Sequence, residues 1–439
     1  MVHKVYRVLI RHGYTLYSHE RMKHRPVEPS VIALAIALLM PVWMGIETAH
    51  AANIYVTKSG HPAPTGAQVE PFHMVEAGIA AAESTPGSTV LIEGGKYYET
   101  FTANTPCTLQ TTGGTVTIGK MDYEDSTTFE IVTLNTHLAG DEIFMPSWRD
   151  CERTDDIADF FGKTNLWPDV VGFQEIWDEH FFLYGDDCDS ERTTGGIWPP
   201  LKPWYPYGRH GRREGPVLNS GLALMSEYPL TGFQQVEYEE EAGVWEPGAA
   251  KGWVQATIVK EEFSIGLFNT HTQADYRRSD REARLAQIAQ LAGAIIDYRV
   301  SHPSHVVFAM GDFNVYGEGK GNTQHDEYNG YLIPFLGLMA GGMDADRNSA
   351  GFVIGNSAQW TYSDANKLKR YFDEEAAGGR LDYIFYFPSW DRVDNVVDIL
   401  PMEVHVHSFR GRDLTEDGLA TNESSDHWSV YGKFRLIRK

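Results

Sequence analysis

Ser425-Asp426-His427-Trp428-Ser429-Val430-Tyr431 reads as a short polar turn that runs directly into a strand and carries a carboxylate beside an imidazole. Upstream, Leu381-Asp382-Tyr383-Ile384 opens an apolar run with an acid at its head, a candidate partner for that histidine. A histidine general base oriented by an aspartate is one reading of the pair. Further polar clusters stand at the ends of other apolar runs: Leu134-Asn135-Thr136-His137, Phe173-Gln174-Glu175-Ile176-Trp177, Phe268-Asn269-Thr270-His271 and Met310-Gly311-Asp312-Phe313-Asn314. A carboxylate and a carboxamide at neighbouring strand ends can hold a hard divalent cation. Mg²⁺ keeps several waters and needs only one or two carboxylates plus substrate phosphate, so Glu175 with Asn135 is chemically sufficient. His271 can stabilise charge developing on a phosphoryl or leaving oxygen. Asp312 and Asn314 are two residues apart, so an extended backbone would present both to one side. Taken singly, each of these residues is also an ordinary strand-end or turn residue; taken together they describe a metal-assisted phosphodiesterase site.

The apolar runs that carry these clusters are short and β-rich: 129–134, 170–173, 221–225, 253–259, 264–268, 306–310 and 381–387. They alternate with helical stretches. The clearest helix is expected to start at Ser279, with Glu282 completing a capping box and Leu285, Ile288, Ala292 and Ile295 on one face. Strands that outnumber helices, with both present throughout, predict sheet packed on sheet with helices outside, an α/β architecture.

The ordered set Asn135, Glu175, His271, Asp312 with Asn314, Asp382, and Asp426 with His427 resembles the endonuclease/exonuclease/phosphatase superfamily, from Phe129 to the C-terminus. Within it the wording is similar to that of the secreted bacterial sphingomyelinases: Gln174-Glu175-Ile176-Trp177-Asp178, Ser220-Gly221-Leu222-Ala223-Leu224-Met225-Ser226, Lys251-Gly252-Trp253-Val254, His271-Thr272-Gln273-Ala274-Asp275, and Trp360-Thr361-Tyr362 ahead of Leu381. The resemblance implies a four-layer α/β sandwich, two packed mixed sheets flanked by helices as in DNase I. It also implies one or two divalent cations, Mg²⁺ at Glu175 aided by Asn135 and Asp426. Further implied roles are His427 as the base oriented by Asp382, Asp312 orienting the attacking water, Asn314 holding a phosphate oxygen, and His271 stabilising the transition state. The implied substrate is a phospholipid or other phosphodiester, met at a transient membrane surface. One departure is that the stretch between Phe387 and Thr421, where related enzymes carry a membrane-touching hairpin, offers only Trp390 and Phe409 as candidate exposed aromatics.

Charge narrows the substrate. The chain carries 37 Lys and Arg against 60 Asp and Glu, a net charge of −23, which disfavours polyanion binding because nucleic-acid affinity comes largely from cations on phosphates. A secreted nuclease on the same fold would need the cluster Arg209, Arg212 and Arg213 beside the metal, where it could also guide a phosphate head group; a solvated loop is the bland alternative. A non-enzymatic surface-binding module is a third reading, and intact site residues oppose it. No obligate protein partner is evident.

Residues 1–51 read as an export signal, with Lys23 and Arg25 ahead of the apolar run Val31 to Ile46, a small-x-small site at Ala49-His50-Ala51, and a start at Met22 as the better length. The expected destination is secreted or periplasmic. Cleavage after Ala51 removes six basic and three acidic residues and moves the net charge from −23 to −26. Residues 53–120 resemble the opening coil of a right-handed β-helix, including Gly94-Gly95-Lys96-Tyr97, but no second coil follows to bury a continuous core. An acidic linker around Met121 to Thr128 would separate this accessory segment from the catalytic domain, 129–439. Of three cysteines, Cys151 and Cys188 are candidates for a bridge, with Cys107 left over. His405 and His407 lack an evident third ligand, and Asp344, Asp346 and Asn348 fail the calcium-loop pattern at positions six and twelve.

Overall fold

Alternating inward and outward side chains fix what each strand can do here, and among the described residues the strands form two six-stranded sheets, one three-stranded sheet and one two-stranded ribbon. The computed structural model of the chain describes residues 53–57, 66–68, 70–72, 74–85, 87–97, 107–118, 126–138, 149–163, 167–177, 196–211, 220–240, 251–275, 277–317, 327–349, 357–372, 378–390, 397–416 and 419–438. The export-signal reading of residues 1–51 lies outside them. The strands are β1 Asn53–Val56, β2 Thr89–Tyr97, β3 Thr108–Ile118, β4 Ser126–Leu138, β5 Val170–Ile176, β6 Tyr207–His210, β7 Ala223–Ser226, β8 Thr231–Glu237, β9 Gly252–Lys260, β10 Phe263–His271, β11 Val306–Asp312, β12 Met343–Asp344, β13 Asp382–Phe387, β14 Val397–His407, β15 Arg410–Glu416, β16 Leu419–Glu423 and β17 Ser429–Arg438. The α-helices are α1 Val75–Glu83, α2 Asp150–Lys163, α3 Trp198–Leu201, α4 Arg278–Ser301 and α5 Lys367–Phe372, with a π-helical segment over Tyr328–Met339.

One six-stranded sheet runs β12-β13-β11-β10-β9-β8 and the other β14-β17-β4-β5-β7-β6. Both are mixed: β10 is parallel to β11 and antiparallel to β9, while β4 is parallel to β5 and antiparallel to β17. The sheets pack face to face over Phe129, Ile131, Leu267, Phe308, Met310, Ile384 and Phe434, all drawn from alternate strand positions. The outer face of the first sheet buries Phe268, Val307 and Phe385 under α4 and the π-helical segment. The outer face of the second buries Val132, Leu134, Val171 and Phe173 under α2 and α3. Helix, sheet, sheet, helix is the four-layer sandwich the family resemblance implied.

Each predicted run contains a strand, and most extend further towards their polar ends; the run 221–225 is strand only from Ala223, and 381–387 only from Asp382. α4 begins one residue before Ser279 and is capped differently from expectation: the Asp280 carboxylate accepts the Arg277 N–H at 2.8 Å, while Glu282 pairs with Arg278 on the surface. Its inner face carries Ile288, Ala292 and Ile295 as anticipated, with Leu291 buried and Leu285 only half-buried. Ser126 to Thr128, read as linker, already belong to β4, paired with β17 from Ser126↔Ile437.

Upstream, β1, β2 and β3 form a separate parallel sheet, with α1 packed on it through Val75 and Ile79 against Val56 and Val90. The Asp344 and Asp346 pair rejected as a calcium loop serves the core instead, both carboxylates meeting the fully buried Arg380 guanidinium, at 2.8 and 3.4 Å. Cys151 is disulfide-bonded and Cys107 is a free thiol; Cys188 lies outside the described residues. No helix among the described residues is long and apolar enough to cross a membrane.

Candidate active site

At one end of the sandwich the inter-sheet face changes from apolar to polar without changing parity. On β4, Phe129 and Ile131 are followed by Thr133 and Asn135; on β10, Ile265 and Leu267 by Asn269 and His271; on β11, Phe308 and Met310 by Asp312; on β13, Tyr386 and Ile384 lead back to Asp382. Pairing registers align these ends: His271↔Asp312 across β10 and β11, Asp312↔Asp382 across β11 and β13, and Asn135↔Gln174 across β4 and β5. Behind the cluster, Gln174 donates to Asn269 at 2.6 Å and Asn269 to the Phe173 carbonyl at 2.8 Å, so hydrogen bonds lock the two sheets together at the floor of the site.

Glu175 departs from this rule. Parity alone would send it outward with Val171 and Phe173. Its backbone is left-handed, φ 56°, and its carboxylate instead lies 3.4 Å from His271 Nε2 and 3.4 Å from His137 Nδ1. His137 and Asn314 are left-handed too, at φ 46° and 49°. Non-glycine residues pay roughly 1–3 kcal/mol for such conformations, and the surrounding packing must supply it. Gly311, φ 142°, precedes Asp312 because any Cβ there would stand 2.0 Å from the Thr270 carbonyl.

His427 Nδ1 is 2.8 Å from Asp382 Oδ2, and its Nε2 is 3.9 Å from Asp312 Oδ2. The Asp382 pairing therefore leaves Nε2 directed at the cluster. Asp312 accepts from the Asn314 N–H at 2.8 Å and from Asn135 Nδ2 at 3.1 Å, and it stands 3.7 Å from His271. The expectation that Asp312 and Asn314 share a face of an extended segment is corrected here. β11 ends at Asp312, the chain turns, and the Asn314 carboxamide donates to the Thr272 carbonyl at 3.1 Å. Asp426 joins from the loop before β17, 3.5 Å from His137. All eight of these sequence-predicted residues, from Asn135 to His427, are thus brought together and nearly fully buried. Arg209 is not among them: it lies exposed on edge strand β6, bonded to the Gly208 carbonyl at 3.4 Å, and Arg212 and Arg213 lie outside the described residues.

Three contributors had no role in the sequence reading. His137 bridges Glu175 and Asp426, and Phe372 of α5 stacks on its ring at 4.1 Å between centroids. Its position two residues after Asn135 was the available signal. Lys251, buried at the head of β9, places Nζ 3.1 and 3.3 Å from the two His271 nitrogens. Thr361 accepts the N–H groups of Leu381 and Asp382 through its hydroxyl, at 3.1 and 3.2 Å, and that of Trp428 through its carbonyl at 2.7 Å. It ties both halves of the His427–Asp382 pair to one residue. Thr361→Val leaves two buried donors unpaired, a cost of about 1–3 kcal/mol each. We expect a lower melting temperature and lower kcat in that variant, with Thr361→Ser restoring both.

Charge is unevenly shared. Burial opposes ionisation of Glu175, but His137, His271 and Lys251 override it and hold the carboxyl below the ordinary carboxylate range. Burial, with Asp382 close by, pushes Asp312 up to about 7 against the pull of His427. Burial likewise disfavours charge on His427, yet Asp382, then Asp312 and Asp426, raise it well above the usual imidazole value. His271 is held well below it by burial and by Lys251. The donor set is oxygen-rich, and Glu175, His271 and Asp312 present ligand atoms within 4.8 Å of one another, as do Asp312, Asp382 and His427. Asp382 Oδ1 is buried with no hydrogen-bond partner. These residues fit a hard divalent cation.

A two-sheet α/β sandwich with carboxylates and imidazoles converging at its strand ends offers the groups that metal-assisted hydrolysis of a phosphoric ester needs. The chain belongs to the Endonuclease/Exonuclease/phosphatase family, whose model matches residues 132–427 and whose members are phosphoric diester hydrolases. No curated protein matches it significantly by sequence. Among solved structures it is similar to a beta toxin mutant from Staphylococcus aureus with bound magnesium ions, at 20% identity and TM-score 0.47 over 71% of this chain and 100% of that one. It is also similar to sphingomyelinase C from Streptomyces griseocarneus, at 15% identity and TM-score 0.48 over 70% and 99%. A third is TDP2 from Caenorhabditis elegans, at 14% and TM-score 0.46 over 71% and 74%. The family assignment rests on the sequence match.

Proposed function

We propose that the protein is an exported, Mg²⁺-dependent phosphodiesterase that cleaves sphingomyelin or a related phospholipid head-group ester. The observation that carries the reading is the His427–Asp382 pair aimed at Asp312 beside Glu175, joined to the sphingomyelinase-like wording around Glu175, Lys251 and His271. In this reading His427 Nε2 takes the proton from an attacking water that Asp312 orients, and Asp382 fixes the ring and stabilises its charge. The water oxygen bonds to phosphorus as the bond to the lipid oxygen breaks, in line and with no covalent enzyme intermediate. Asn314 meets a phosphate oxygen, and His271, backed by Lys251, stabilises the negative charge of the transition state. Glu175, with Asp426 and Asn135, would hold the cation, which when bound supplies Lewis-acid stabilisation of the phosphoryl group. A net charge of −23 favours a lipid phosphodiester over nucleic acid.

The test is parallel turnover of sphingomyelin vesicles and supercoiled plasmid by the chain from Ala52 onward, with Mg²⁺ and with chelator, using Glu175→Gln as control. Mg²⁺-dependent phosphocholine release without nicking is the expected result. Nicking without lipid turnover would make the enzyme a nuclease and overturn the substrate assignment.

A further inference from the structure

Arg153, in the first half of α2, is wholly buried behind the catalytic cluster. A buried guanidinium is tolerated only where its donors are met, and Arg153 meets them with groups from three separate segments. Nη1 donates to the Thr136 carbonyl at 3.0 Å and to the Ser424 carbonyl at 3.3 Å. Nη2 donates to the His137 carbonyl and to the carboxylate of Asp150, each at 2.5 Å. Asp150 is itself fully buried and offsets the positive charge.

These carbonyls stand beside the donors assigned to the cation. Thr136 and His137 directly follow Asn135, and Ser424 stands two residues before Asp426. Thr136 extends the network to the third donor, because its hydroxyl lies 2.9 and 3.0 Å from the carbonyls of Gln174 and Glu175. The Ser425 hydroxyl closes the ring by donating to the Asn135 carbonyl at 2.6 Å. His137 is left-handed, φ 46°, and its carbonyl is the one that Nη2 holds, so this contact supports a conformation that local sterics disfavour.

We propose that Arg153 is a positioning residue for the catalytic cation: it fixes the spacing of Asn135, Glu175 and Asp426 and thereby sets Mg²⁺ affinity. The inference rests on the metal role given to those three residues above. Mg²⁺ demands near-ideal octahedral geometry, so slack between the segments that carry its ligands is costly. The choice of arginine follows from the geometry. Its rigid fork of donors can engage three segments at once, whereas a lysine ammonium keeps the charge but bonds from a single nitrogen.

The experiment is calorimetric Mg²⁺ titration of the full chain, with melting temperatures, for wild type, Glu175→Gln, Arg153→Lys and Arg299→Lys. Arg299 is the control for simple loss of a buried arginine. It donates to the carbonyls of Ala340 and Pro388, and Pro388 follows the end of β13 remote from Asp382. We expect Arg153→Lys to weaken Mg²⁺ by about 10–100-fold, the usual effect of losing a group that supports metal ligands, and Arg299→Lys to leave Mg²⁺ binding unchanged. Wild-type affinity in Arg153→Lys, or equal weakening in Arg299→Lys, overturns the proposal. Weakening in Glu175→Gln without weakening in Arg153→Lys removes the positioning role alone; unaltered binding in Glu175→Gln overturns the ligand assignment and the positioning role together. Should Arg153→Lys not fold, Asp150→Asn, which keeps the guanidinium and removes its carboxylate anchor, is read by the same criteria.

Discussion

His427→Ala is expected to lower kcat by at least ~10²–10⁴-fold, the usual contribution of a positioned proton acceptor. The geometry explains why no neighbour substitutes. Nδ1 is committed to Asp382 at 2.8 Å, so Nε2 alone faces the cluster, and His271, the nearest alternative, is occupied by Lys251 and Glu175. The sign of the pH dependence follows from the same contacts. A base must be neutral to accept a proton, so activity falls as pH drops through the His427 pKa of the working enzyme. Asp382 is the main cause raising that pKa against the opposing effect of burial. Asp382→Asn therefore shifts the acidic limb to lower pH even as maximal rate declines. Measuring kcat against pH for wild type and both variants checks this; full activity in His427→Ala, or an acidic limb that Asp382→Asn leaves in place, contradicts the assignment.

Glu175→Gln carries the second large effect. The substitution keeps the shape of the side chain and removes its charge, which burial opposes and which His137, His271 and Lys251 sustain. With Glu175 holding the cation as proposed, its loss should move the Mg²⁺ activation midpoint upward by at least ~10–100-fold, the effect of losing a group that only supports a metal ligand. KM for substrate at saturating Mg²⁺ should change far less. Initial rates across a Mg²⁺ titration, together with direct calorimetric binding, separate the two quantities. An unshifted midpoint would place the metal ligand elsewhere.

Much of the site was legible because strand parity is a local property. Phe308 and Met310 lead to Asp312, and Ile265 and Leu267 lead to His271, with the same side chains facing inward throughout. Three features were not legible, each for a physical reason. Glu175 reaches the cluster only through a left-handed backbone, which hydrophobic alternation does not encode. The two-residue spacing of Asp312 and Asn314 predicts an extended segment, whereas the Asp312 carboxylate captures the Asn314 N–H and the chain turns. Spacing points to a capping box of Ser279 with Glu282, but the helix is capped at Arg277, and Asp280 is the acid whose carboxylate meets its N–H.

The sequence by itself determined the alternation of each strand, the polar residue at each strand end and the acidic charge, because these depend only on neighbouring residues and composition. Tertiary structure decided which ends meet. His271 lies beside Asp312, and Asp312 beside Asp382, through pairings between segments far apart in the chain. It also recruited His137, Lys251 and Thr361, whose contacts arise only once two sheets close over a common core and force buried polar groups to find partners.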